Sequence, residues 1–181
     1  NRTTVPWKLI EEKNKPRACY VGIGFYRSRD KREIHTSIAQ VFDEMGNGVI
    51  LRGEPVQLDK NDRRPYLTTE QANTLLKNAL YEYKIALSHA PARLVIHKSS
   101  IFREAEQEGF YSAAEEKGIN WVDMVTILDS NLRLLREGQY PTRRGTYLEL
   151  DKNNALLYTR GSVEHYRTYP GMYIPQPIGI R

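Results

Sequence analysis

ACYVGIGFY, at Ala18–Tyr26, is apolar, aromatic or small at every position and reads as the first strand of the fold. Beyond it, the charged Arg27–Glu33 cluster reads as a turn and Ile34–Asp43 as a second strand. Ile34, Ile38 and Phe42 cannot all share one face of that strand without a bulge. Gly46-Asn47-Gly48 is a tight-turn signal feeding a third strand, Val49–Arg52. Three successive antiparallel strands are expected.

Glu54–Tyr66 is polar and proline-bounded, which predicts a loop. Thr68 and Gln71 then form a capping box for a helix running to about Ser88. Ala72, Leu75, Leu76, Ala79, Leu80, Tyr83 and Leu87 recur at helical spacing, so one face packs on a sheet. Pro91 breaks the helix, and Ala92–His97 is nearly all apolar, as in a strand covered on both faces. A second helix is expected over Phe102–Lys117, closed by Gly118, and a buried strand over Ile119–Leu128. This order, βββ-α-β-α-β, resembles that of RNase H-like domains: α/β, a mixed sheet flanked by helices. Past Asn131 the chain is turn-rich. Arg143-Arg144-Gly145 leads into Thr146–Leu150, Asn153-Asn154 turns, and Ala155–Thr159 pairs back as a hairpin before an extended tail. Residues 1–17 read as a linker from an upstream domain, and 18–181 as one domain.

No apolar run approaches the roughly 18 residues that span a bilayer, and no charged-then-apolar leader opens the chain, so a cytoplasmic protein without membrane contact is expected. The lone Cys19 reads as core packing. Neither a P-loop nor G-x-G-x-x-G occurs, and no cofactor is expected. Net charge is +5, and 17 of the 27 basic residues are arginines, whose planar fork suits phosphate. The charge is uneven: Ser99–Asp129 holds seven acids against two bases, Asn131–Arg181 eight bases against four acids. Such a bias fits either a solvated surface or a nucleic-acid footprint.

Two-metal phosphodiester hydrolysis needs carboxylates from separate strands converging on ions about 4 Å apart. In an RNase H-like topology they would come from the middle of the first strand and the end of the strand after the first helix, where this chain has Gly24 and Ser99. Asp30 and Asp43 read as solvated turn acids, and Glu54 alone cannot hold two metals. No catalytic residue and no metal ligand is therefore assigned. His97 beside two serines lacks the elbow motif of a serine nucleophile. Lys98, Ser99 and Ser100 read instead as phosphate donors at a strand end, although Ser99 or Ser100 would serve equally as a helix cap. Arg27 and Arg29, at the first strand's exit, are read with them as nucleic-acid-binding residues. Arg143, Arg144, Arg160 and Arg167, interleaved with Tyr140, Tyr147, Tyr158, Tyr166 and Tyr169, combine phosphate donors with planar rings; the arginines read as nucleic-acid contacts, while each tyrosine by itself reads rather as an edge-of-core residue.

Taken in order, VPWK (Val5–Lys8), YVGIGFYRSRD (Tyr20–Asp30), LVIHKSSIF (Leu94–Phe102), RRGTYLEL (Arg143–Leu150), LYTRGS (Leu157–Ser162) and YPGMYIPQPIGI (Tyr169–Ile180) resemble the PIWI domain of prokaryotic Argonautes over nearly the whole chain. The resemblance implies an upstream MID domain that holds the guide's 5′ end, and a PIWI domain that carries guide nucleic acid and its complementary target strand. Active members place aspartates where Gly24 and Ser99 stand here, so the chain resembles a non-cutting member, from the short or the inactive long branch. Such members recognise invading nucleic acid and leave its destruction to an effector protein. Two other readings stay open: a metal-dependent endonuclease completed by residues outside this chain, and a scaffold docking an effector through the acidic Phe102–Lys117 face. RNA and DNA are not distinguished for either strand.

Overall fold

The computed structural model describes residues 16–27, 34–43, 48–51, 55–56, 64–135, 137–138, 141–163, 165 and 174–181. The chain divides into two compact units, one running to Met124 and the other spanning Val125–Arg181.

In the first unit, β1 (Ala18–Arg27) pairs antiparallel with β2 (Ile34–Phe42), which also pairs with β3 (Gly48–Ile50) and β4 (Pro55–Val56). After α1 (Thr69–Leu87), β5 (Arg93–Lys98) lies parallel to the other side of β1. α2 (Glu104–Glu116) then leads to β6 (Trp121–Asp129), which begins in this unit and ends in the next. The order β3-β2-β1-β5-β6 makes the sheet mixed and the class α/β, with the RNase H-like strand order. In the second unit, β9 (Ile178–Ile180) lies between β8 (Asn154–Leu157) and residues Ile127–Asp129 of β6, and β7 (Tyr147–Asp151) forms the other side of the β8 hairpin.

The expected bulge is present. The β1–β2 register passes from Ile23↔Ala39 to Gly24↔Ser37, leaving Ile38 unopposed. The capping box on α1 is also found: Gln71 N–H donates to Thr68 Oγ1 at 3.2 Å, and Thr68 N–H donates to Gln71 Oε1 at 3.1 Å. Ser88, left-handed at φ 60°, closes that helix. Two strands lie where a loop or a tail is predicted: β4, of two residues, and β9, of three, are too short for an alternating pattern to register. Asp43, read as a solvated turn acid, is instead buried.

One face of β1 and β5 packs on the helices. Cys19, Val21, Ile23, Leu94 and Ile96 meet Leu76, Ala79 and Tyr83 of α1 and Phe110 and Ala113 of α2. Each large side chain buried there contributes about 1.5–3 kcal/mol. Burial pushes the Cys19 thiol up to about 12, consistent with its role as core packing. Gly109 lets the helices touch, since a Cβ there would collide with Thr69 O. Polar contacts repeat along the pair at one spacing. Leu67 N–H donates to Glu106 at 3.2 Å, Thr69 Oγ1 to Glu108 at 3.4 Å and Asn73 Nδ2 to Ser112 at 3.2 Å, all 39 residues apart. Lys77 and Glu116 add an ion pair at 2.7 Å with the same separation. A constant offset advancing by helical turns means that α1 and α2 run parallel.

Candidate nucleic-acid interface

β1 and β5 present their second face through alternate residues, among them Gly22 and Gly24 on β1 and His97 on β5. Gly22 and His97 are register partners, and the imidazole occupies the space a side chain at 22 would take, its Nε2 2.9 Å from that Cβ position. His97 is half-buried, and burial lowers its pKa from the ordinary histidine value. The parallel register runs out at Ile23↔Lys98, and the next residues are Gly24 and Ser99. The two positions singled out in the sequence are thus brought together on neighbouring strands, and neither offers a carboxylate. Among the described residues, no three His, Cys, Asp or Glu side chains group so as to hold a metal ion.

Lys98 does not face this surface. Its ammonium is buried and donates to both oxygens of buried Glu106, at 2.7 and 2.6 Å, beside the rings of Phe102 and Tyr66. Burial lowers its pKa from the ordinary lysine value, and the bond to Glu106 pulls it back up. The carboxylate also accepts from Leu67 N–H at 3.2 Å and Arg103 N–H at 2.8 Å, so every oxygen is satisfied. A buried, fully paired ammonium is not available to a phosphate, and Lys98 is withdrawn from the donor set. Ser99 is exposed, whereas the Ser100 hydroxyl is buried without a hydrogen-bond partner among the described residues. Neither serine caps α2. Its N-cap is Arg103, because Glu106 at the third helical position reaches back to that residue's N–H. The same geometry thins the supposed acidic face of α2. Glu106 turns inward, while Glu108 and Glu116 are engaged by Thr69 and Lys77 of α1.

In the second unit, Arg143, Arg144 and Arg160 come together, all exposed, on a turn pinned from beneath. Buried Tyr158 accepts from Leu134 N–H at 2.7 Å, and buried Thr142 donates to Leu134 O at 2.7 Å. Ser162 Oγ donates to Pro141 O at 2.8 Å, and Arg144 N–H donates to Ser162 O at 2.9 Å. Gly145 N–H closes the turn on Tyr158 O at 2.7 Å. Gly161, at φ +155°, is required here, since a side chain would strike Thr142 O. Backbone bonds therefore fix where the three arginine side chains start. Buried Tyr158 fits the edge-of-core reading of the interleaved tyrosines, whereas the parts that Thr142 and Ser162 play in the framework are missed by sequence reasoning. For the other expected residues, Arg27 ends β1, its side chain outside the described set. Arg29, Asp30, Glu54 and Arg167 lie outside the described residues altogether.

No family model matches the chain, and no curated protein matches it. Solved structures do. The fold is shared with Marinitoga piezophila Argonaute in complex with 5′ OH guide RNA, at TM-score 0.56 and 12% identity, and with the same Argonaute holding guide RNA and target DNA, at 0.59 and 14%. Each comparison covers 93% of this chain and 23% of the Argonaute chain. Aa-Ago with externally bound siRNA matches over 98% of this chain and 23% of its own, at TM-score 0.62 and 18% identity. The fold is that of a segment of Argonaute, and the chain spans under a quarter of those chains' length.

Proposed function

We propose that this chain is a PIWI-like nucleic-acid-binding module that carries a guide strand and its paired target without cutting them. The observation that carries the reading is the junction of β1 and β5, where Gly24 and Ser99 follow the last register pair on two adjacent strands of an Argonaute-like fold. Hydrolysis assisted by two metals needs anionic ligands at such a junction, and hydrogen and hydroxymethyl side chains supply none. What persists is a surface for binding: the pinned turn of Arg143, Arg144 and Arg160, whose forks suit phosphate oxygens. The Argonaute structures that share the fold hold guide RNA, target DNA or siRNA, which supports nucleic-acid strands as partners here.

Base pairing between guide and target would discriminate sequence, and the protein would read backbone charge and shape. A MID domain upstream would hold the guide's end, and an effector protein would act on the recognised invader. Among the described residues no helix is long and apolar enough to cross a membrane. The test is a labelled guide annealed to a matched target, titrated with protein in Mn²⁺ across a salt series. Binding should weaken with salt by a log–log slope of about 0.7–0.9 per phosphate neutralised, with the strands intact. A single cut within the duplex would refute the non-cutting reading, and salt-insensitive or absent binding would refute the module itself.

A further inference from the structure

Between β6 and the pinned arginine turn, the backbone of residues 130–135 is held at several points. Leu132 N–H donates to Ser130 Oγ at 3.2 Å, and the Arg133 guanidinium donates to Ser130 O at 3.2 Å and Leu132 O at 2.8 Å. Leu134 is fixed at both its N–H and its carbonyl, by buried Tyr158 and buried Thr142. Leu135 then stands 84% exposed, the most exposed large apolar side chain among the described residues, with Leu132 54% exposed on the same loop. Turning Leu135 inward would move Leu134 and leave two buried hydroxyls without these partners, which holds the leucine in solvent.

The same hydrogen bonds place it beside the arginines. Thr142 bonds Leu134 and precedes Arg143, so the Cα atoms of Leu135 and Arg143 lie within about 15 Å of each other. A strand of a duplex presents a phosphate about every 3.4 Å along the axis, which puts Leu135 within about five phosphate steps of Arg143. Contacts to phosphate leave the apolar faces of sugars and bases uncovered, and a leucine fixed at the protein surface can bury them.

Resting on the reading of Arg143, Arg144 and Arg160 as a phosphate grip, we propose that Leu135, flanked by Leu132, is the apolar contact of the same interface and packs on sugar and base faces of the bound strands. The arginines supply the salt-sensitive share of affinity. Leu135 supplies a salt-insensitive share that requires nucleosides and not phosphate alone.

The test uses the full chain with a labelled RNA guide annealed to a matched DNA target, and in parallel with inorganic polyphosphate, which carries phosphates without sugars or bases. Leu135→Ala should weaken duplex binding about tenfold while the salt slope, the denaturant midpoint and polyphosphate binding stay as they were. Leu135→Phe, which keeps an apolar side chain there, should hold duplex binding near that of the unsubstituted chain. Joint alanine substitution of the three arginines should weaken binding of both ligands. Duplex affinity that Leu135→Ala leaves intact, while the arginine variant loses it, overturns the proposal and spares the phosphate grip. Equal losses on duplex and polyphosphate also overturn it, since the leucine would then act only by positioning the arginines. Duplex binding that survives removal of the three arginines overturns the grip itself, and the proposal with it.

Discussion

Two basic clusters read alike in the sequence and part company in the fold. Lys98, at the end of β5, is folded under the turn that follows it, where it neutralises Glu106 and stacks beside Phe102 and Tyr66. Arg143, Arg144 and Arg160 stand outward on a turn whose underside is filled by Thr142, Tyr158 and Ser162. A strand-end lysine is drawn inward when a helix N-terminus within reach supplies a carboxylate, and arginines stay out when buried hydroxyls have already satisfied the backbone beneath them. One cluster therefore maintains the fold, and the other stands exposed at the surface.

The sharpest way to break this contrast is to orphan the buried pair. Glu106→Ala should cost about 3–5 kcal/mol of unfolding free energy, read by denaturant titration, because it leaves Lys98 charged and buried and two N–H groups without an acceptor. Lys98→Met with Glu106→Gln should recover part of that loss, since the buried charge is gone and the amide oxygen still accepts from one of the two backbone N–H groups. A single Glu106→Ala that costs no more than an exposed substitution would remove the structural role.

The converse experiment acts on the outward cluster. Joint substitution of Arg143, Arg144 and Arg160 by alanine should weaken duplex binding about a hundredfold at low salt and flatten the salt slope by about 2 to 3, with the denaturant midpoint unchanged. Unchanged binding would move the interface elsewhere.

The smallest effect separates His97 from both clusters. Burial depresses its folded-state pKa below the ordinary 6.5, so in the window just below that value the unfolded chain binds more protons than the folded one. Stability then rises with pH and declines as pH falls through and below 6.5. His97→Gln should flatten the denaturant midpoint between pH 7 and 5, and an unchanged slope would mean that this imidazole titrates alike in both states.

Legibility in the sequence follows locality. Thr68 and Gln71 are three residues apart, and the α1 stripe from Ala72 to Leu87 needs only a period, so both can be read before any tertiary contact is known. The three-strand opening and even the Ile38 bulge follow from the faces of one strand. Lys98 is different, because its fate rests on Glu106 eight residues on and on Leu67 in a separate segment. The clue was present, a glutamate at the third position of α2, but placing the helix start two residues early hid it. In the arginine cluster the charges are legible, while the support is not: Tyr158 reaches Leu134 across 24 residues with nothing in either neighbourhood to announce it.

The 39-residue spacing between α1 and α2 also bears on the order of events in time. Leu67–Glu106, Thr69–Glu108, Asn73–Ser112 and Lys77–Glu116 each close a loop of the same length, so none has an entropic head start over the others. Once one forms, the rest cost only the ordering of successive helical turns, so the segment from α1 through β5 to α2 is expected to refold in a single phase. Whatever slows the first closure, such as a side chain at Gly109, should delay the whole unit by the same factor, so refolding rate becomes the observable in which this regularity shows itself.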